Sequence, residues 1–291
     1  MTAMISDLSA EVDKRVGLAR AHFFNGSIVP SGLVADTIAR SWVRCSGLGL
    51  NASAPVPLPM TTSRELRERK ARNRLLLEVA QPELENLYQQ IANTRSVVLL
   101  TDAEATVLTS LSIDDPLTRR GGRPGACWLE DQVGTNAIGT AVIEQQAISV
   151  FGSEHYLEQN GVFSCSAAPV FNPFGKLIGV LDISGGNQVR QPHIQALAGM
   201  SAQVIENRLF FAQLGMHTIV RFHSRPEFLG TLWEALAVFA QDGSLVAVNR
   251  AALLVLEINR TRLHQDDLLR SLTSVSIGCS TIFRRQAALR C

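Results

Sequence analysis

The sequence predicts an α+β fold: an antiparallel sheet of five or six strands flanked by helices, preceded by a helical segment and followed by a smaller α+β unit. Three observations predict it. Short apolar runs bounded by turn residues occur first as a pair and then as a triplet. Stretches of helical period bracket both sets. A further pair of such runs stands apart, behind Phe222-His223-Ser224-Arg225-Pro226. With 291 residues, 46% apolar and 18% charged, the chain is long enough for one large or two ordinary domains with buried cores.

In chain order, Leu8 to Ser46 carries helical period interrupted by a loop at Asn25-Gly26. It resumes as a helix with Ile38, Trp42 and Val43 that ends at Gly47-Leu48-Gly49. Residues 51–62 hold Pro55, Pro57 and Pro59, which continue neither a helix nor a central strand, so a domain boundary is expected there. From Ser63 a charged helical stretch leads into the apolar stripe Leu76, Ala80, Leu84, Leu87 and Ile91, with a kink or restart expected at Pro82. Its basic cluster, Arg64 to Arg74, has no interleaved aromatic and reads as a solvated face rather than a nucleic-acid site.

The first strand pair is Ser96 to Thr101 and Ala105 to Leu111, joined by Asp102-Ala103-Glu104. A Gly- and Arg-rich loop, Arg119 to Gly125, precedes Trp128 and a short helix that Thr135 or Asn136 is able to cap. The triplet is Ala147 to Phe151, Cys165 to Phe171 and Leu177 to Ser184, the last two bracketing the turn Asn172-Pro173-Phe174-Gly175. Pro192 opens a long helix whose stripe, like that of the preceding long helix, exceeds what one sheet face covers; a homodimer through these helices is expected. The final strands are Trp233 to Ala240 and Ser244 to Val248, around Gln241-Asp242-Gly243, with a helix from Asn249. The expected divisions are 1–62, helical segment and linker; 63–215, sheet domain; and 225–291, the smaller unit.

Composition narrows the function. A net charge of +1 offers no bulk attraction to nucleic acid or anionic membrane. No apolar run nears the roughly 20 residues that cross a bilayer, and Met1 to Ser9 lacks the basic and apolar regions of a signal peptide; a cytoplasmic protein without membrane contact is expected. The five cysteines, Cys45, Cys127, Cys165, Cys279 and Cys291, are scattered without a C-x-x-C pair, which argues against a disulfide framework or a zinc finger.

Five blocks carry a resemblance. Trp128-Leu129-Glu130-Asp131, Gly134-Thr135-Asn136-Ala137-Ile138-Gly139-Thr140-Ala141, Glu154-His155-Tyr156, Cys165-Ser166-Ala167-Ala168-Pro169-Val170 and Gly179-Val180-Leu181-Asp182-Ile183-Ser184-Gly185 stand in an order that resembles the sensor region of acetoin-catabolism activators. These are sigma-54-dependent, Fis-type transcriptional regulators. Ser41-Trp42-Val43-Arg44-Cys45 and Glu206-Asn207-Arg208-Leu209-Phe210 match the same family, and the likeness covers roughly Ala35 to Leu263. It implies a GAF domain followed by a partial PAS-like unit, which in that family precede an AAA+ ATPase and a helix-turn-helix domain. Neither a Gly-x-x-x-x-Gly-Lys-Ser/Thr loop nor a terminal helix-turn-helix is read here. Gly134 and Gly139 have the phosphate-loop spacing, but Thr140-Ala141 replaces the lysine and hydroxyl that would meet phosphate and magnesium. Contacts with DNA and RNA polymerase are therefore expected only through domains this sequence does not contain.

The pocket implied by a GAF domain has Trp128, Asn136, His155, Cys165 and Asp182 as candidate liners, with no metal and no cofactor. Each also has a structural reading. Trp128 serves equally as a core aromatic and Asn136 as a helix cap. His155, without an H-E-x-x-H partner, reads as a structural histidine, and Cys165 as a small buried hydrophobe. Asp182 stands between Leu181 and Ile183 in a strand, where a carboxylate must face water, a partner or a ligand. No ordered nucleophile, base and orienter is found, so the chain is not expected to be an enzyme. The expected function is that of a sensory region in which a small-molecule effector regulates transcription. The alternatives are a ligand-independent dimerisation or interaction module and, more remotely, a sulfoxide reductase using Cys127 or Cys165.

Overall fold

The computed structural model describes residues 2–91, 94, 96–112, 121–186, 192–241, 244–258 and 282–286. Among these, residues 1–77, 81–169 and 179–202 cluster as one compact unit and 78–80, 170–178 and 203–291 as a second.

The first unit begins with helices α1 (Thr2–Phe24) and α2 (Asp36–Gly47), which turn at Gly26 with φ +71°. The helix expected from Ser63 divides at Asn73 rather than at Pro82. Asn73 donates its side-chain amide to the Arg69 carbonyl, ending α3 (Ser63–Arg72), and α4 (Arg74–Gln90) runs through Pro82. Local side-chain competition for the helix carbonyls set that break. Thr62 caps α3 in a reciprocal box with Glu65. The basic cluster lies on a helix with no buried residue, as a solvated face should: Arg64 pairs with Glu68 in solvent, and only Arg69 turns to the sheet domain, pairing with Asp102 and Glu104.

Strands β1 (Val97–Asp102), β2 (Val107–Leu111), β3 (Ile148–Phe151), β4 (Phe163–Phe171) and β5 (Leu177–Gly186) form one sheet in the order β2-β1-β5-β4-β3. The observed pairings are antiparallel, with Leu99 opposite Asp182 and Val150 opposite Cys165. Every residue of β1 is buried, so both faces are covered there, as alternating side chains require. Between β2 and β3 lie α5 (Glu130–Val133) and α6 (Ala137–Glu144).

The proline-rich stretch expected to separate domains is bound into this unit. Gln159 donates to the Val56 carbonyl and accepts from its N–H (2.7 and 3.2 Å), Cys127 N–H donates to Pro59 (2.9 Å) and Thr61 N–H to Gly125 (2.8 Å). Prolines remove donors but leave carbonyls free, and those carbonyls are used here. Trp42 is fully buried and donates its indole N–H to the Glu154 carbonyl at 2.8 Å, and one core cluster joins Val16, Ile38 and Trp42 to Ala137, Ile148 and Leu99.

After α7 (Pro192–Leu214), the second unit holds a sheet of order β8-β7-β6-β9, formed by β6 (Ile219–His223), β7 (Ala235–Phe239), β8 (Leu245–Val248) and β9 (Ile282–Gln286), with α8 (Arg250–Val255). Phe222 and His223, read as a connection, instead lie in β6, and β9 is a returning strand that the sequence did not suggest. Asp242 and Gly243 of the expected turn, Arg119 and Arg120 of the expected loop, Cys279, Cys291 and the region after Asp266 other than β9 lie outside the described residues. Asn249 caps α8 by accepting from Ala252 N–H, and Arg250 grips Glu206 through two contacts, 2.9 and 2.7 Å.

If the N-terminal helices are part of the first unit's core, Trp42→Ala lowers unfolding stability of the whole first unit by about 3–5 kcal/mol in urea denaturation. A loss below ~1 kcal/mol contradicts that packing.

Candidate functional site

Facing one side of the β1-β5-β4 region is a hollow of about 390 Å3, its open mouth included. Its fully enclosed part is far smaller, with room for roughly two water-sized groups. Val97, Leu99, Ile138 and Phe163 make its apolar lining; Trp128, Asn136, Cys165, Asp182 and Ser184 complete it with Gly121, Gly122 and Ala137. Four of the five residues singled out in the sequence thus meet at one place. His155 does not.

Trp128 is held at three points. Its indole N–H donates to the Gly121 carbonyl at 3.0 Å, its backbone N–H to Ala105 at 2.9 Å, and its carbonyl accepts from Asn136. A Cβ on Gly121 would lie 2.3 Å from the indole ring, so the ring needs glycine there. Asn136 caps α6: Oδ1 accepts from Gly139 N–H at 2.8 Å, while Nδ2 donates to the carbonyls of Trp128 and Gly134 (2.9 and 2.8 Å). Its amide hydrogens and its oxygen are engaged, so it shapes the wall and fixes the first turn of α6. Gly139, read as a false phosphate-loop glycine, lies inside α6, where a Cβ would come within 2.4 Å of the Trp128 carbonyl oxygen.

Asp182 is fully buried on β5. Its Oδ2 accepts from the Ser184 hydroxyl, and Oδ1 has no hydrogen-bond partner among the described residues. Burial pushes its carboxyl up from 3.8 to about 7, with the Ser184 bond pulling the other way. Cys165 is half-buried and lines the hollow. Burial, and next the neighbouring Asp182 charge, push its thiol far up, which keeps it protonated and a poor nucleophile.

His155 sits in a separate, closed position behind Phe163, ring centroids 6.4 Å apart. Its Nδ1 bonds the Gly152 carbonyl at 2.9 Å, which assigns the proton to Nδ1, and Nε2 has no partner among the described residues. Burial lowers its pKa from 6.5 to about 4. His155 follows the short 3-10 turn 152–154, its carbonyl accepts from the Arg20 guanidinium at 2.7 Å, and it is not among the residues that line the hollow.

The residue that sequence reading passed over is Glu130, 1% exposed. It accepts from Arg44 through two nitrogens (2.7 and 3.1 Å), from Ser41 (2.7 Å) and from Thr140 (2.9 Å), tying α2 to α5 and α6. Arg44 also reaches Glu144 at the end of α6 (2.8 Å), as does Arg40. A glutamate next to Trp128-Leu129, with Thr140 ten residues on, was the available signal. Among the described residues no cluster of His, Cys, Asp and Glu able to hold a metal ion is formed, and no helix is long and apolar enough to cross a membrane.

The two titrations have opposite signs. For Asp182 the folded chain keeps a proton that the unfolded chain has lost between 3.8 and about 7, so its contribution to stability falls as pH rises through that window. For His155 the unfolded chain holds the extra proton between about 4 and 6.5, so stability rises with pH there. Urea denaturation of the wild type and Asp182→Asn from pH 4 to 8 should show the variant gaining relative stability as pH increases to about 7. A difference independent of pH contradicts the buried, raised carboxyl.

A family model for the GAF domain matches residues 75–209. The acetoin catabolism regulatory protein of Cupriavidus necator is 32% identical over 244 residues, 79% of this chain and 36% of that protein. The acetoin dehydrogenase operon transcriptional activator AcoR of Bacillus subtilis is 32% identical over 190 residues, 64% of this chain and 31% of that one. The chain thus spans about a third of the length of these curated relatives. Among solved structures, the Escherichia coli DhaR(N)–DhaL complex matches with a TM-score of 0.58 at 20% identity, over 78% of either chain, a likeness of fold. Residues 75–209 of this chain are a GAF domain, and the relatives it resembles across that region are transcriptional regulators.

Proposed function

We propose that this chain is the sensory region of a transcriptional activator and that the hollow beside Asp182 receives a short-chain, hydroxyl-bearing metabolite. The observation that carries this reading is Asp182 Oδ1, without a hydrogen-bond partner among the described residues and fully buried in a mostly apolar wall. Leaving a buried acceptor unmade costs about 1–3 kcal/mol, and a ligand hydroxyl donating to it removes that cost. The small enclosed volume favours compounds of a few heavy atoms. The names of the relatives support the same size class: they concern acetoin, a four-carbon hydroxyketone, and the propane 2-monooxygenase operon. DNA and polymerase contacts would then belong to other domains.

Signal would leave through α6. Asn136, Ala137 and Ile138, at its start, line the hollow, and Glu144, at its end, is clamped by Arg40 and Arg44 of α2. A ligand shifts such a system only by binding one arrangement of α6 better than another. The smaller second unit reads as PAS-like on its β7–β8 pair followed by α8.

A second reading, docking of a protein partner without small ligand, draws on the structural neighbour having been solved as a complex. Thermal unfolding of the full chain with acetoin, butane-2,3-diol, propan-2-ol and butane separates them. At a hundredfold excess over Kd, a hydroxylated ligand adds about 2.7 kcal/mol of stability. The proposal expects that gain from the hydroxylated compounds, and its loss in Asp182→Leu. Flat melting curves for all four, or a variant that responds as the wild type does, favour docking.

A further inference from the structure

The hollow beside Asp182 meets α6 end-on. Its wall takes Asn136, which caps the helix, and Ala137 and Ile138, the first two helical residues, but nothing from the later turns. The first N–H groups of a helix point out along its axis and have no partner within it. That of Gly139 is met by Asn136 Oδ1 at 2.8 Å. Those of Ala137 and Ile138 have no acceptor among the described residues, although both residues are buried, 1% and 4% exposed. Native structures rarely leave buried N–H groups unmade. The side-chain N–H and O–H donors of the wall are committed elsewhere: the Trp128 indole to Gly121, the Asn136 amide to two carbonyls and the Ser184 hydroxyl to Asp182. The space thus offers an acceptor at Asp182 Oδ1 on β5 and a pair of backbone donors at the start of α6.

We infer that the Ala137 and Ile138 N–H groups are the second polar contact of this hollow, holding an uncharged oxygen acceptor on the same ligand whose hydroxyl meets Asp182. This rests on the reading of the hollow as a metabolite site and adds a requirement to it: a compound with the hydroxyl alone binds more weakly. The partial positive charge of a helix N-terminus favours an electron-rich oxygen there. A carboxylate is nevertheless disfavoured, because Asp182 lines the same space and no lysine, arginine or histidine lines it to offset a second negative charge. A carbonyl, ether or second hydroxyl oxygen fits. Contact at the first turn also seats the ligand on the helix whose far end, Glu144, is clamped by Arg40 and Arg44.

The test pairs acetoin with 3-methylbutan-2-ol, which has the same heavy-atom skeleton with a methyl group in place of the carbonyl oxygen. Calorimetric titration of the full chain is expected to give acetoin a Kd roughly tenfold lower. In 15N–1H spectra, the amide protons of Ala137 and Ile138 should move downfield with acetoin and not with the alcohol. Ala137→Pro deletes one of the two donors where proline is tolerated: the position is the first of the helix, and Asn136 before it is already extended, with φ −150° and ψ 160°. It should bring the two affinities together, whereas Ala137→Val, bulkier but with its N–H intact, should keep their ratio. Acetoin and the alcohol binding alike, with both weakened in Asp182→Leu, would overturn this inference and leave the hollow's first reading in place. Unmoved Ala137 and Ile138 amides, or lactate binding as tightly as acetoin, would overturn it as well. Binding of neither compound would overturn both.

Discussion

Glu130 is the constraint on which the sensory unit depends. Its carboxylate, taken almost wholly out of water, is surrounded by one guanidinium and two hydroxyls drawn from α2 and α6. A buried charge with a complete set of partners is tolerated, whereas removal of one partner leaves the desolvation cost uncompensated. The arrangement therefore fixes α2 against α6 in a geometry with little tolerance. Because α6 begins at Asn136 and Asn136 holds the Trp128 carbonyl, that geometry extends to the rim of the hollow.

The N-terminal helices consequently belong to the sensor's own core. Trp42 fills its interior, Arg20 binds the carbonyls of His155 and Tyr156, and the proline-rich stretch is bound by Gln159. A change at the cavity has short physical routes to α2: through the first turn of α6 and along it to Glu144, or through Trp128 and the adjoining Glu130. Asp182 contrasts with Glu130. One carboxylate is fully partnered and reads as architecture; the other has an oxygen without a partner among the described residues and lines the hollow, and the proposed recognition rests on it.

Much of this was legible in the residues. The strands between 97 and 186 have the period and turn residues that define them, and four of the five candidate liners converge because their motifs end on β4, β5 and the entry to α6. Asp182 was conspicuous because a carboxylate inside an apolar strand has few places to go. What was hidden depends on contacts far apart in sequence. The prolines of 55–59 signal an irregular stretch but not the Gln159 amide that binds it. Glu130 looks like a surface helix residue until Arg44, 86 positions earlier, closes on it. His155 shares a motif with its neighbours, yet it follows a 3-10 turn and is not among the residues that line the hollow. In the second unit, β6 was obscured by its closeness to α7 and β9 by its distance from its partner strand.

The most direct measurement is the protonation of Asp182 itself, followed by the carboxyl 13C shift of the labelled full chain as pH is varied, without and with saturating butane-2,3-diol. A ligand hydroxyl donating to Oδ1 stabilises the ionised carboxylate, so the titration midpoint should lie near 7 in the free protein and fall when the diol is bound. A midpoint near the ordinary aspartate value in the free protein, or one that the diol leaves unmoved, would contradict a recognition role for the buried carboxyl.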